Sequence, residues 1–220
     1  MKETVKERRT ISHDTYKATL CHNKKPALCV HTVIFQFKGR SLARAARRIN
    51  AHYRYLARRL KRRSQGVLLR RAAKDSKNGD AFIPHTLTVR HKVTYHANEL
   101  LSLYHDLEQN DGQARDAVCR MADTWRLCDG TVVTLKDFCK TPKLLRLAVA
   151  EAGRRAEAGQ TPWFVRYAKL MRRYFDKSRF YLTEHGVALF WEAGVIAPAS
   201  HGVQTVVVPY GDLGIKMPPL

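Results

Sequence analysis

Thiols and imidazoles are the side chains here best suited to metal binding or nucleophilic work. Two groups invite it: Cys21-His22, and Cys29-Val30-His31. A structural zinc site needs paired ligands such as C-x2-4-C joined to a second pair. The sequence contains no CxxC pair, and these two groups fit no such framework. The other reading is of cysteines packed in strands as small hydrophobes. Cys21, Cys29, Cys119, Cys128 and Cys139 are an odd number with no secretion signal ahead of them, which favours reduced thiols. The histidines are scattered: His91 and His96 flank one turn, His22 and His31 another. Asp14, Asp123, Asp129 and Asp137 have the spacing of turn residues, not of a metal cluster. A Gly-rich phosphate loop, G-x-S-x-G and H-E-x-x-H are all missing from the sequence. A Ser/His/Asp or Cys/His set is assembled in space, and nothing here singles one out. The expectation is a chain with no catalytic residue, no metal and no cofactor.

Cationic chemistry is far more abundant. Forty Lys and Arg stand against 19 Asp and Glu, a formal net charge of +21 and a pI near 10.2. Such a surface attracts nucleic acid, anionic lipid or anionic wall polymer, although an excess of this kind also serves plain solubility. Arginine is densest between positions 41 and 74, where no acid occurs, and the candidate anion-binding residues are Arg44, Arg47, Arg48, Arg54, Arg58, Arg59, Arg62 and Arg63. Between them Leu42, Ala45, Ala46, Ile49, Tyr53, Leu56 and Leu60 recur every three or four residues. That spacing predicts a long amphipathic helix with Ser41 as its N-cap. Lacking acidic partners, it suffers like-charge repulsion and must be held by its apolar stripe. Its Arg face serves either an anionic partner or only solvent. Aromatic residues interleave only at Tyr53 and Tyr55, a poor platform for bases, so nucleic-acid binding there would be sequence-tolerant and salt-sensitive.

The elements around this helix read as hairpins. Thr15–Leu20 and Cys29–Phe37 are β-rich and joined through Asn23-Lys24-Lys25-Pro26. Asn78-Gly79 marks a loop. Leu87, Val89, His91, Val93 and Tyr95 alternate with polar residues, predicting a half-buried strand whose partner is the run ELLSLYHDLEQ. Asp129-Gly130 predicts a further hairpin between Trp125–Leu127 and Val132–Leu135. Pro142 opens a helix that reaches Ala152 and is broken by GRRAEAGQTPW; a short helix then covers Trp163–Tyr174. Phe180–Thr183, Val187–Trp191 and Gln204–Val208 are the closing strands. The fold class is therefore α+β, a mainly antiparallel sheet with a long basic helix after the second strand and helices inserted before the C-terminal strands. A length of 220 residues with 45% hydrophobic content predicts one domain, 1–220, with a core of about 10–213. No window approaches the roughly 18 apolar residues of a membrane span, and the N-terminus does not read as a signal peptide. A cytoplasmic location follows at face value, or an extracytoplasmic one for a trimmed ectodomain.

The closing stretch, from Phe180 to Leu213, contains Tyr181, Leu182, Thr183, Gly186, Phe190, Ile196, Ala197, Pro198, Gly202, Pro209, Tyr210 and Leu213. This pattern resembles the C-terminal signature of the RsiV-type anti-sigma-factor sensor domain, shared with the non-catalytic region of PdaC-type peptidoglycan deacetylases. Leu135, Asp137 and Phe138 match the family's Leu-x-Asp-Phe, and the order of elements agrees from about Thr10 to Leu213. The resemblance implies a bacterial, non-catalytic, sensor-like binding domain for a protein or wall-derived ligand. The signature residues themselves read as core and turn chemistry. The family's membrane span, sigma-binding segment and deacetylase domain have no counterpart in the sequence, and its polar helix is here loaded with Arg. The family's known ligand class, lysozyme, is itself strongly basic, so tight lysozyme binding is not expected of this chain.

Overall fold

The computed structural model describes residues 10–38, 42–77, 82–97, 99–112, 117–159 and 161–215. Ser41 and Asn78-Gly79, read above as a cap and a loop, lie outside them. The described residues form a mixed α+β fold in which strands dominate two sheets. One has the order β1 (Thr10–His22), β2 (Lys25–Lys38), β3 (His85–Ala97), β4 (Leu100–Asn110) and β5 (Ala117–Arg126); the other is β6 (Phe180–Leu182), β7 (Gly186–Trp191) and β8 (Gln204–Pro209). Two compact units share the chain. The first comprises residues 1–89 with 109–115 and 126–131, and the second comprises 90–108, 116–125 and 132–220.

In the first unit, β1 and β2 form an antiparallel hairpin closed at His22↔Lys25. Both connecting residues, Asn23 and Lys24, have positive φ, which a type I′ turn requires. The strands extend well beyond the sequence reading, to Thr10 and Lys38. β2 then pairs with β3 in parallel, from Leu28↔His85 to Thr32↔Val89. This parallel pairing is one that the hairpin reading did not include. Parallel neighbours need a crossover, and the basic helix supplies it. It runs as α1 (Ala43–Arg63), a π-helical turn (Ser64–Leu68) and α2 (Leu69–Asp75). Leu42 takes the N-cap position without a side-chain cap.

In the second unit, the cross-strand contacts Ser102–Thr124 and Asp106–Arg120 run in opposite senses along β4 and β5, as an antiparallel pair requires. The Asp129-Gly130 turn does not open a full hairpin: a single bridge, Trp125↔Val132, is followed by a 3-10 turn at Leu135–Asp137. Asp137 caps that turn in a reciprocal box with Thr134. The next helix, α3 (Thr141–Glu157), continues past Gly153, so the expected break comes later. α4 is only Tyr167–Arg173, and α5 is Tyr210–Leu213.

The β6–β8 sheet is buried on both faces. Phe180, Leu182, Val187, Leu189, Trp191, Val206 and Val208 face a core shared with Leu144, Ala148, Ala152 and Met171 of α3 and α4. Tyr181, Ala188 and Phe190 face the other way, against Tyr104 of β4 and Ala122 of β5. Leu182 N–H donates to Ser102 Oγ, and Trp191 Nε1 donates to the Met171 carbonyl. Beside this contact Arg120 donates two hydrogen bonds to Asp106, at 2.7 and 2.6 Å, and its guanidinium lies 3.8 Å from the Tyr104 ring centroid. Burial lowers the Arg120 pKa more than any one interaction raises it, but the hydrogen bond and charge of Asp106, with smaller contributions from Tyr104 and Tyr181, together hold it above its ordinary value. Removing Asp106 strands a buried cation, whereas removing the cation leaves an acid that can take up a proton. Asp106→Ala is therefore expected to cost about 3 kcal/mol and Arg120→Met distinctly less, measured by urea unfolding. Equal losses would contradict this account.

Candidate functional site

The eight candidate arginines all belong to α1, and all are exposed. At 100° per residue they spread over about half the helix circumference, opposite the buried residues Ala45, Ala46, Ile49 and Tyr53. The sequence produces this face because its apolar stripe has a helical period and every other position but a few is basic. Twenty-one residues make the face roughly 30 Å long. Two contacts fix the stripe: Phe35 meets Tyr53 edge-on at 5.2 Å, and Asn50 clamps the end of β2, accepting from Phe37 N–H at 2.8 Å and donating to its carbonyl at 2.9 Å.

Among the described residues, no carboxylate pairs with any of these guanidiniums within ion-pair distance. Arg48 donates to the Asp129 carbonyl at 3.2 Å, Arg54 to the Asn50 carbonyl at 3.2 Å, and Arg59 lies over the exposed Tyr55 ring. Thr131 supplies hydroxyl and amide bonds that hold the Asp129 carboxyl below its usual range, with smaller contributions from Arg126 and Arg48. Charge is unevenly divided between the two units. The first holds 24 Lys and Arg against 7 Asp and Glu, a balance of +17; the second holds 16 against 12, a balance of +4.

The remaining candidates belong to other elements. Cys21, Cys119 and Cys128 are exposed; Cys21, expected to pack as a small hydrophobe, sits on the edge strand β1. Cys29 and Cys139 are half-buried, and burial pushes the Cys139 thiol up, keeping it protonated at neutral pH. Cys139 lines a cavity of about 600 Å³ together with Lys136, Lys140, Lys143 and Arg146, a cationic cleft that sequence spacing did not indicate. His85 lies 3.4 Å from Asp75, and His105 lies 4.0 Å from Asp123. Among the described residues no group of three or more His, Cys, Asp or Glu is placed to hold a metal, and no helix is long and apolar enough to cross a membrane.

The signature residues lie in and around the β6–β8 sheet. Tyr181, Leu182, Ile196 and Ala197 are buried. Thr183 accepts the His185 and Gly186 amides on its hydroxyl, and its carbonyl accepts from Tyr210 Oη at 2.8 Å. Pro198 precedes a 3-10 turn that ends at Gly202 with positive φ, and Pro209 ends β8 opposite Gly186. Burial pushes the Tyr210 hydroxyl pKa well up.

No protein-family model matches the sequence, and no curated protein is significantly similar to it. Its fold is shared with two crystal structures. A DUF3298-family member from Bacteroides fragilis NCTC 9343 superposes with a TM-score of 0.70 at 15% identity, covering 97% of this chain and 95% of that one. A DUF3298-family protein from Pseudomonas aeruginosa PAO1 gives 0.63 at 15% identity, covering 94% of each. The likeness is one of fold, and it extends over nearly the whole chain.

α1 is seated on the Asp129-Gly130 turn. Gly130 has φ +72°, and a Cβ there would lie 2.8 Å from Ala45 Cα. Gly130→Ala is expected to lower stability by about 1–3 kcal/mol, read from the denaturant midpoint; an unchanged midpoint would show that the helix does not rest on this turn.

Proposed function

We propose that this chain is a non-catalytic, sensor-like binding domain, as its resemblance to RsiV-type domains implies, and that it meets an anionic polymer on the guanidinium face of α1. One observation carries the reading: eight exposed guanidiniums share one helical face, and among the described residues none is in ion-pair contact with a carboxylate. Surface cations held for structure are ordinarily ion-paired with nearby acids, and among the described residues these are not. The concentration of charge in the first unit adds a long-range field that favours encounter with a polyanion. Recognition of this kind is electrostatic and tolerant of sequence, since Tyr55 alone presents an exposed ring on the face.

Duplex DNA serves as a generic polyanion for the test. Changing Arg47, Arg58 and Arg62 together to Gln is expected to weaken binding and to reduce the slope of log K against log[salt] by about 3, close to one for each phosphate left without its guanidinium. Wild-type affinity that stays flat between about 50 and about 300 mM salt would rule the mechanism out. Lysozyme is strongly basic and is repelled by a domain of net charge +21. Its dissociation constant is expected to lie above the micromolar range at about 0.15 M salt; sub-micromolar binding would overturn the charge argument.

A further inference from the structure

The segment 161–175 of the second unit departs from its sequence reading in a way that bears on partners. Helical spacing predicts that Phe164 lies on the apolar side of a helix. Instead, Phe164 precedes α4 and is 39% exposed, Val165 is 99% exposed, and Tyr174, just after the helix, is 46% exposed. These apolar groups do not lie on a loose loop. Phe164 N–H donates to the Ile196 carbonyl at 2.9 Å, and Tyr167 N–H donates to the Phe164 carbonyl at 2.8 Å, closing a turn with Val165 and Arg166 at its corners. Trp163 anchors the near side, its Nε1 donating to Gln204 Oε1 at 3.0 Å and its ring 5.3 Å from that of Tyr167.

Cations adjoin this tip. Arg166, Lys169, Arg172 and Arg173 are exposed, and the first, second and last of these fall within about 60° on the helix surface, opposite the fully buried Met171. Arg172 donates to the Ala168 carbonyl and Arg173 lies over the Tyr174 ring. A rigid apolar corner backed by a cationic helix face has two requirements of a partner: an apolar phase for Phe164 and Val165, and negative charge one helical turn behind it. A nucleic acid offers no apolar phase. A second copy of this chain would set cations against cations.

We propose that the Phe164-Val165 tip and the cationic face of α4 form a docking site for an anionic lipid surface, with the tip entering the interface and the cations meeting headgroup phosphates. The site shares no residue with α1 and does not depend on the polyanion reading.

Trp163 is a built-in reporter of the contact, because Trp125 and Trp191 are buried. The full chain is titrated with phosphatidylglycerol–phosphatidylcholine vesicles carrying brominated chains. Tryptophan emission is expected to fall on these vesicles and not on brominated phosphatidylcholine alone. The double variant Phe164→Ser, Val165→Ser is expected to bind the anionic vesicles about tenfold more weakly while its affinity for duplex DNA is unchanged. The α1 variant with Arg47, Arg58 and Arg62 changed to Gln is expected to retain the quenching. Absent quenching would overturn the proposal. So would equal vesicle binding by wild type and double variant, which would assign the attraction to charge alone. Dimerisation of the wild type that the double variant abolishes would assign the tip to a second copy, with the same consequence.

Discussion

Every residue of β7 from Gly186 to Trp191 is buried, because the three-stranded sheet has a packed layer on each side. A strand wetted on one face can alternate apolar with charged residues. A strand covered on both faces cannot, since an unpaired charge would be taken out of water at a cost of several kcal/mol. The parity of the sequence sorts Val187, Leu189 and Trp191 to the helical side and Ala188 and Phe190 to the β4–β5 side. Gly186 enters so close to its neighbour that a Cβ would lie 2.1 Å from the Val208 carbonyl oxygen. Neutrality of the closing stretch in an otherwise basic chain is thus a packing requirement. The residues of the closing signature are accounted for by the same layer, its turns and the Tyr210–Thr183 tie.

The charge excluded from that layer accumulates in the first unit, at a cost that can be bounded. On α1, Arg44 and Arg48, Arg54 and Arg58, Arg58 and Arg62, and Arg59 and Arg63 stand four apart, each like-charge pair opposing the helix by about 0.2–0.5 kcal/mol. Burying a single residue such as Ile49 or Tyr53 contributes about 1.5–3 kcal/mol. The stripe therefore outweighs the repulsion with margin, and the Asn50 clamp and Gly130 seat fix its orientation. The Arg methylenes cover part of the helix surface, and of their charged ends Arg48, Arg54 and Arg59 make contacts within the fold, to two backbone carbonyls and one ring.

How legible all this was depended on the range of the interaction that decided each feature. The β1–β2 turn, the β3 alternation and the apolar stripe of α1 are set by neighbours within a few residues, and the sequence showed them. The parallel pairing of Leu28–Thr32 with His85–Val89 is decided across more than fifty residues of crossover, and no local pattern announces it. α4 begins at Tyr167 because the Phe164 amide is taken by the Ile196 carbonyl, a contact thirty-two residues away that spacing cannot reveal. The lone bridge after Asp129-Gly130 has a comparable cause. The Thr134–Asp137 box stops the returning strand after one pairing, and the turn itself is occupied by Ala45 and Arg48 of α1. The eight arginines were visible as a run; that no carboxylate among the described residues pairs with them in space was not.

The two proposed surfaces differ in the distance over which they act, and this separates their roles. Guanidiniums on α1 act through a field that extends about 8 Å at physiological salt and is blind to what carries the negative charge. An apolar corner such as Val165 gains nothing until water is expelled from around it, so it discriminates at contact and at no greater range. A chain carrying only the first would be a generic polyanion binder, and one carrying only the second would have no long-range capture. The segment around α4 joins both, with Arg166, Lys169 and Arg173 beside the Phe164-Val165 tip that precedes the helix. That juxtaposition, more than total charge, is what distinguishes a lipid interface from the other anionic surfaces a +21 chain will meet.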